Sequence, residues 1–389
     1  MAAPRHRSGA LGFLVLLTLV PGGPAGAQAA AQQPAAALNG YARESEARIV
    51  EFFGAPFRDS VAIQVVQDRA AFDAVLKAMW GMPSTQCWMV AAAGATRLVV
   101  LSPEAWARDA CEHDAADPEH VRGIIAHELV HAYHGQRNPS DDFAGMDDMG
   151  WFVEGLAVLA SEQLRLSHAE DAEDAISAGV APARLADGWS GRYRYGVAGS
   201  MVAYIDRRWG RGTVVRLLGA TTNDQALGIL GVDEATFLAG WRRWVTADWS
   251  AERRVLAAVQ RLWAAMHAGD GGAVSAVFAP GARLVGVAVR DGQRVVETTP
   301  VAAFADAVDR GGGGWNERMY DPDVRVDGDI ASVWTFYTFH RGDRFNHCGI
   351  DSFELARGRA GWVVTQVADT RRQDCFPPRL FRPALPSPR

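Results

Sequence analysis

The 389-residue sequence predicts an α+β fold in two successive domains: a helix-rich one with a small N-terminal sheet, then a strand-rich one. Three observations carry this. Up to about residue 250, short strand-like runs give way to long helical segments with apolar stripes. Beyond it, alternating runs separated by regular turns dominate. Within the helical part, HELVH (127–131) and WFVEGLA (151–157) set charged residues among apolar ones, which packing alone does not require.

The first residues read as an address. MAAPRHRSGA carries Arg5 and Arg7, LGFLVLLTLV is a ten-residue apolar run, and PGGPAGA ends in small residues. That is the order of a secretory signal peptide. Ten apolar residues are too few to span a bilayer. The expectation is cleavage after Ala27, no stable membrane anchor afterwards, and a secreted or periplasmic protein. Cleavage removes two arginines and no acidic residue from a chain of net charge −6. Such a balance argues against a nucleic-acid partner. Cys87, Cys111, Cys348 and Cys375 fall two in each half and suit an oxidising compartment. Of the three pairings, Cys87–Cys111 and Cys348–Cys375 are the simplest. None lies in a CxxC arrangement, so no thiolate zinc site or redox pair is expected.

Residues 28–40 are rich in Ala and Gln and read as a flexible leader. VAIQVV (61–66) reads as a strand, and DRAAFDAVLKAM (68–79) as a helix burying Phe72, Val75, Leu76 and Met79. CWMVAAAG (87–94) and TRLVVLS (96–102) read as two more strands. Helical segments follow at about 118–134, 150–166 and 198–248, the last broken near Gly210 and Gly212. The first domain is placed at 41–250 and the second at 251–376, with a Pro-rich tail at 377–389. The second domain opens with an amphipathic helix (253–268) ended by Gly269. Strands are expected at 282–289, 294–300, 323–328, 331–340, 349–356 and 361–370. A helix at 301–310 and the glycine run 311–314 lie between them.

Asp117 and Pro118 are a good helix start, with a capping acceptor and then a proline whose missing N–H costs nothing there. Gly135 is a plausible stop. HELVH therefore lies inside a helix. His127 and His131 differ in direction by about 40° and in height by about 6 Å, so both imidazoles can reach one metal ion. Glu128 points about 100° away and suits a water on that metal instead. Glu154 sits among Phe152, Val153, Leu156 and Val158. A carboxylate buried there without a partner would cost several kcal/mol, and a metal supplies one. His134 lies about 10.5 Å above His127 along the helix and cannot share the ion. It is expected to be a surface histidine or a support to the ligands.

HELVH followed two dozen residues later by WFVEGLA resembles the gluzincin metallopeptidases, and their peptidase-MA-like branch most. The likeness covers roughly 55–250 and implies a zincin-like domain. His127, His131 and Glu154 would be the ligands of one zinc ion, and Glu128 the acid–base. In SGRYRYGVAGSMVAYI the donors available to an oxyanion are Tyr195, Tyr193 and Arg192, and the family pattern favours Tyr195. It also implies that an edge strand pairs with an extended peptide or protein substrate. An acid usually orients a zinc histidine. Asp141, Asp142, Asp147, Asp148 and Glu162 are all near in sequence, and nothing chooses among them. Some relatives carry aspartate four residues after the ligand glutamate, where this chain has Val158.

LWAAMHAGDGGAVSAVFAPGARL (262–284) resembles the opening of nuclear-transport-factor-two-like (SnoaL-like) domains, with a long helix, an AGD turn, and a curved sheet closing into a cone-shaped barrel. Such a domain is expected to bind a ligand, dock a substrate or form a homodimer. Trp263, Trp315, Trp334, Tyr337 and His340 are core or pocket residues, and His347, Asp351 and Asp369 an acid–base group or solvated strand ends. The leading expectation is an exported zinc peptidase. The alternative is a zinc-binding scaffold without useful turnover that acts as a peptide- or ligand-binding protein.

Overall fold

A computed structural model describes residues 25–375 except 83, 112, 291 and 343; the side chains of 25–37, 166, 288, 290 and 321 are not described. The expected signal peptide, as far as residue 24, and the expected tail at 377–389 lie outside these residues. The chain is α+β and forms two compact units. One takes residues up to 171 and 181–234, the other 172–180 and 235 onward.

In the first unit α1 (Ala25–Phe53) takes in residues 28–40, which are helical rather than a structureless leader. Alanine and glutamine are good helix formers, and from Leu38 the helix buries Leu38, Ile49 and Phe53. β1 (Ala62–Val66) leads to α2 (Arg69–Trp80), capped by Asp68 and closed by Gly81 at φ 69°. β2 (Ala91–Gly94) and β3 (Arg97–Leu101) complete a three-stranded sheet in the order β1-β3-β2, with β1 parallel and β2 antiparallel to β3. Residues 87–90, expected to be strand, fold as a turn because the Cys87–Cys111 disulfide and Arg69 hold them. The Arg69 guanidinium donates to the carbonyls of Cys87 and Asp109. α3 (Pro103–Asp109) follows β3 under a Ser102 cap.

α4 (Pro118–Gly135) begins where Asp117 accepts from the Glu119 N–H at 2.9 Å. Gly135 is the helix's last residue rather than a left-handed cap. A Cβ there would lie 2.5 Å from the Asp141 carbonyl oxygen, so its smallness lets the next loop fold back. α5 (Gly150–Ala160) is shorter than expected, because Glu162 takes φ 70° and turns the chain into α6 (Gln163–Leu166). α7 (Asp171–Ser177) comes next. The expected single helical region is four helices; the first three are α8 (Arg194–Trp209), α9 (Arg211–Leu217) and α10 (Asn223–Leu230), with Gly210 at φ 82° between the first two. α5 lies against α8 at backbone distance: a Cβ on Gly155 would come within 2.3 Å of the Ala198 carbonyl oxygen.

The boundary expected near 250 falls inside one helical run. α11 (Glu234–Trp244) continues through a π-turn (Val245–Trp249) into α12 (Ser250–Ala268), and the units divide near Glu234 instead. The polar ADWS stretch is absorbed by the wider turn, where the Trp244 and Trp249 rings meet at 5.4 Å. After Gly269, Asp270 caps α13 (Gly271–Val277). β4 (Phe278–Arg290), β5 (Gln293–Pro300), α14 (Val301–Gly311), β6 (Trp315–Asp327), β7 (Ile330–Arg341), β8 (Arg344–Gly358) and β9 (Gly361–Thr370) follow. The sheet order is β5-β4-β9-β8-β7-β6. β4 and β9 are parallel and all other pairs antiparallel. This order leaves β5 and β6 as two edges, so among the described residues the sheet does not close into a barrel by hydrogen bonding. Register shifts in β4, β6, β7 and β8 bend it instead. α12, α13 and α14 cover one face, burying Val255, Val259, Leu262, Val274 and Val308 against Val333, Phe353 and Val364.

Half of β6 was missed in the sequence, because charged residues and Pro322 mask residues 315–322. As an edge strand β6 tolerates that proline, which falls in the register shift between Tyr320 and Asp323. The glycine run at 312–314 holds three successive positive φ angles, which only glycine adopts at little cost. The second disulfide joins Cys348 to Cys375, so both cysteine pairs are those expected. Among the described residues no helix is long and apolar enough to cross a membrane.

Because Gly155 meets backbone rather than a yielding side chain, Gly155→Ala should lower unfolding stability by about 1–3 kcal/mol. Denaturant titration followed by circular dichroism measures this, and an unchanged midpoint would contradict the close α5–α8 approach.

Candidate metal centre

His127 and His131 lie one turn apart on α4, and Glu154 comes from the second turn of α5. Their ligand atoms converge. His127 Nε2 is 3.2 Å and His131 Nε2 is 3.4 Å from Glu154 Oε2, and the two Nε2 atoms are 3.1 Å apart. Two ligand atoms at about 2.05 Å from a tetrahedral ion sit about 3.3 Å from each other. The three separations therefore form one face of such a tetrahedron. Among the described residues this is the one group of three or more His, Cys, Asp or Glu side chains close enough to hold an ion.

The tautomers favour a cation. His127 Nδ1 lies 2.7 Å from Gln163 Oε1, which fixes the proton on Nδ1 and leaves the Nε2 lone pair facing the cluster. That lone pair, the His131 ring nitrogen and the Glu154 carboxylate then share one small space. Burial alone would push Glu154 up, but His131 and His127 outweigh it and hold its carboxyl well below the usual range. Burial opposes the charged form of His131, yet Glu154 and Glu128 raise its pKa overall. Two imidazoles and a carboxylate suit zinc, so the residues fit the ion that the sequence implied.

Gln163 takes the orienting role that the sequence could not assign. Asp141, Asp142, Asp147 and Asp148 are exposed, and Glu162 pairs with Arg48 at 3.2 Å. Glu162 contributes through its backbone: its left-handed conformation aims the next residue, Gln163, back at His127. In the sequence this amide is masked by the acid beside it, Glu162. Val158 is wholly buried, within reach of the α8 backbone at Gly199. His134 is not a surface residue. It is wholly buried, packed against Phe143 at 4.8 Å and Phe152 at 5.6 Å, with Nε2 3.2 Å from the Leu218 carbonyl. Burial pushes its pKa down to about 3, so it stays neutral.

Glu128 turns toward β2, where its carboxylate accepts the Ala93 N–H. Burial raises its pKa, while His131 and His127 work in the opposite sense. β2 is an edge strand of its sheet, so the carboxylate stands at an open edge. Tyr195 lies in the first turn of α8, its ring stacked on His168 at 5.0 Å and met edge-on by Trp189 at 4.7 Å. His168 is held by Asp171 at 2.9 Å, and the same carboxylate accepts the Gly196 N–H at 3.3 Å, which fixes the start of α8. Burial raises the Tyr195 pKa, Arg194 lowers it, and Glu154 and Glu128 add smaller rises. The phenol thus senses both carboxylates. Tyr193 pairs with the exposed Arg192 at 5.4 Å, and among the described residues no contact ties either to the cluster.

No family model and no curated protein matches the chain. Solved structures match its C-terminal portion. A nuclear-transport-factor-two-like protein with a cystatin-like fold from Novosphingobium aromaticivorans is 20% identical over 36% of this chain and 92% of its own, with a TM-score of 0.27. A nuclear-transport-factor-two-like protein from Cytophaga hutchinsonii is 14% identical over 30% and 95%, with a TM-score of 0.25. A protein of unknown function with a cystatin-like fold from Nostoc punctiforme is 10% identical over 33% and 94%, with a TM-score of 0.27.

His127→Ala should abolish stoichiometric zinc binding, and Gln163→Ala should weaken it about 10–100-fold. Competition against a chromophoric chelator reads both. Unaltered affinity in the glutamine variant would remove that residue from its orienting role.

Proposed function

We propose that the chain is an exported zinc-dependent peptidase whose ion would be held by His127, His131 and Glu154. The observation that carries this reading is the tetrahedral spacing of those three ligand atoms beside a second, non-ligating carboxylate, that of Glu128, at an open strand edge. Three protein ligands leave one position open, as hydrolytic zinc sites do. Bound zinc would polarise a scissile carbonyl and acidify water.

The chain's own residues supply the rest. The outer edge of β2 can take an extended peptide as an added strand. Such a peptide would pass Glu128, whose carboxylate is steadied by the Ala93 N–H. Glu128 takes a proton from the attacking water and returns it to the departing amine. Tyr195, kept protonated by burial and by the two carboxylates, donates to the oxyanion that develops on the carbonyl. Gln163 keeps His127 in the tautomer that presents Nε2. Both disulfides are formed, which supports a working compartment outside the cytoplasm.

A second reading, a zinc-binding scaffold that recognises peptides without cleaving them, is favoured by Val158, which stands where some related peptidases carry an aspartate. Cleavage of a mixed peptide library by the purified chain decides between the two. On the peptidase reading, Glu128→Gln keeps one zinc per chain while kcat/KM falls by about a hundredfold to ten-thousandfold. Tyr195→Phe should lower kcat by roughly a hundredfold with little change in KM. A chelator should abolish turnover and zinc restore it. Cleavage that survives both the glutamine variant and the chelator would refute the assignment.

A further inference from the structure

The first residue of α8 is a cation in a place that does not favour one. Arg194 opens the helix, where the macrodipole is positive and a basic side chain is unfavourable. Three rings hold it there. The guanidinium carbon lies 5.5 Å from the centre of the Trp88 ring, 5.5 Å from that of Trp189 and 4.9 Å from that of Tyr195. Aromatic faces attract a guanidinium. Two of these rings are anchored from other segments. Trp88 follows Cys87 of the disulfide, and its carbonyl lies 2.7 Å from His113 Nε2. Trp189 is seated on the start of α5, where a Cβ on Gly150 would come within 3.1 Å of it.

The rings supply attraction but no counter-charge. Among the described residues no carboxylate pairs with Arg194. Asp171, the acid that ties down this helix start, is taken by His168 at 2.9 Å and by the Gly196 N–H at 3.3 Å. One donor of the guanidinium turns to the Tyr195 phenol, and a guanidinium has five. None of its nitrogens is enclosed without a partner, so the remaining donors meet solvent. A planar fork fixed on rings is prepared to grip a carboxylate through two parallel hydrogen bonds.

The position suits a substrate group. Tyr195 senses Glu154 and Glu128 as well as Arg194, so this one phenol links the guanidinium to the metal centre. Trp88 stands three residues before β2, the strand whose Ala93 N–H meets Glu128. A peptide added along the outer edge of β2 would pass Glu128 at one end and approach Trp88 at the other. We propose that Arg194, held between Trp88 and Trp189, is a specificity-determining residue that grips a carboxylate of the peptide, borne either on an Asp or Glu side chain or on the free C-terminus. This rests on the peptidase reading for the path of the peptide, and not on turnover.

Binding without turnover tests it. The full chain carrying Glu128→Gln and loaded with zinc is titrated calorimetrically with acetylated, amidated alanine-based peptides that place Glu at each position in turn. Their Gln and Lys twins, and a Gln peptide with its C-terminus left free, complete the set. At one position Glu should bind about 10–100-fold tighter than Gln, and Lys no tighter than Gln. A gain confined to the free C-terminus supports the proposal equally and assigns the carboxylate to the chain end. Arg194→Gln should erase the preference, Arg194→Lys should keep part of it, and Arg194→Glu should turn it toward the Lys peptides. Equal affinity for the Glu, Gln and free-acid peptides, a preference that survives Arg194→Gln, or no heat with any peptide would each overturn the proposal. So would a lowered melting temperature in all three variants without the inversion, which would make Arg194 a brace for the helix. Chelator-sensitive cleavage of the Gln peptides by the parent chain, with no preference for acid, would sink the specificity and leave the peptidase standing. Acid preference without any cleavage would do the reverse.

Discussion

The constraint on which the first unit turns is the crossing of α5 and α8 at near-backbone distance. Glu154 reaches the imidazoles of His127 and His131 only because α5 lies close to α4, and α5 is held there by its contact with α8. Gly155 and Gly199 remove the side chains that would keep those two helices apart. The residue that completes the cluster is thus followed at once by the one that permits its approach. The EGLA sequence encodes both an acid and a packing distance.

Around that crossing, orientation comes from groups that ligate nothing. Gln163 selects a tautomer, Phe143 lies against the rings of both His131 and His134, and Asp171 ties the start of α8 to His168. Among the described residues, Phe143 and Glu162 are the two non-glycine residues with positive φ, and both stand beside the cluster. Left-handed backbone at residues with side chains is costly and persists where surrounding contacts over-determine it. Both positions reverse the chain near the histidines, which is where such a cost is useful.

The parts legible in the sequence were those set by local periodicity and by chemistry at fixed spacing. HELVH on a capped helix fixed the relation of two histidines, and Glu154 stood out as an acid in an apolar run. Both disulfides followed from the even division of four cysteines. What escaped depended on long-range geometry or on composition that misleads. An alanine-rich leader looks flexible until its later turns are seen to bury Leu38 and Ile49. The strand at 315–322 is hidden by a proline that only an edge can accept. The role of Gln163 depends on a backbone angle at residue 162 that composition does not show. The burial of His134 rests on the loop carrying Phe143, which covers it and which helix spacing does not show.

The Cys87–Cys111 bond closes a 24-residue separation that contains all of β2 and β3. By loop-closure entropy such a cross-link is worth about 3 kcal/mol. The strand whose N–H steadies Glu128 therefore loses a tether whenever the cysteines are reduced. With its thiols reduced the chain would carry this edge in its loosest form, and oxidation would draw it taut.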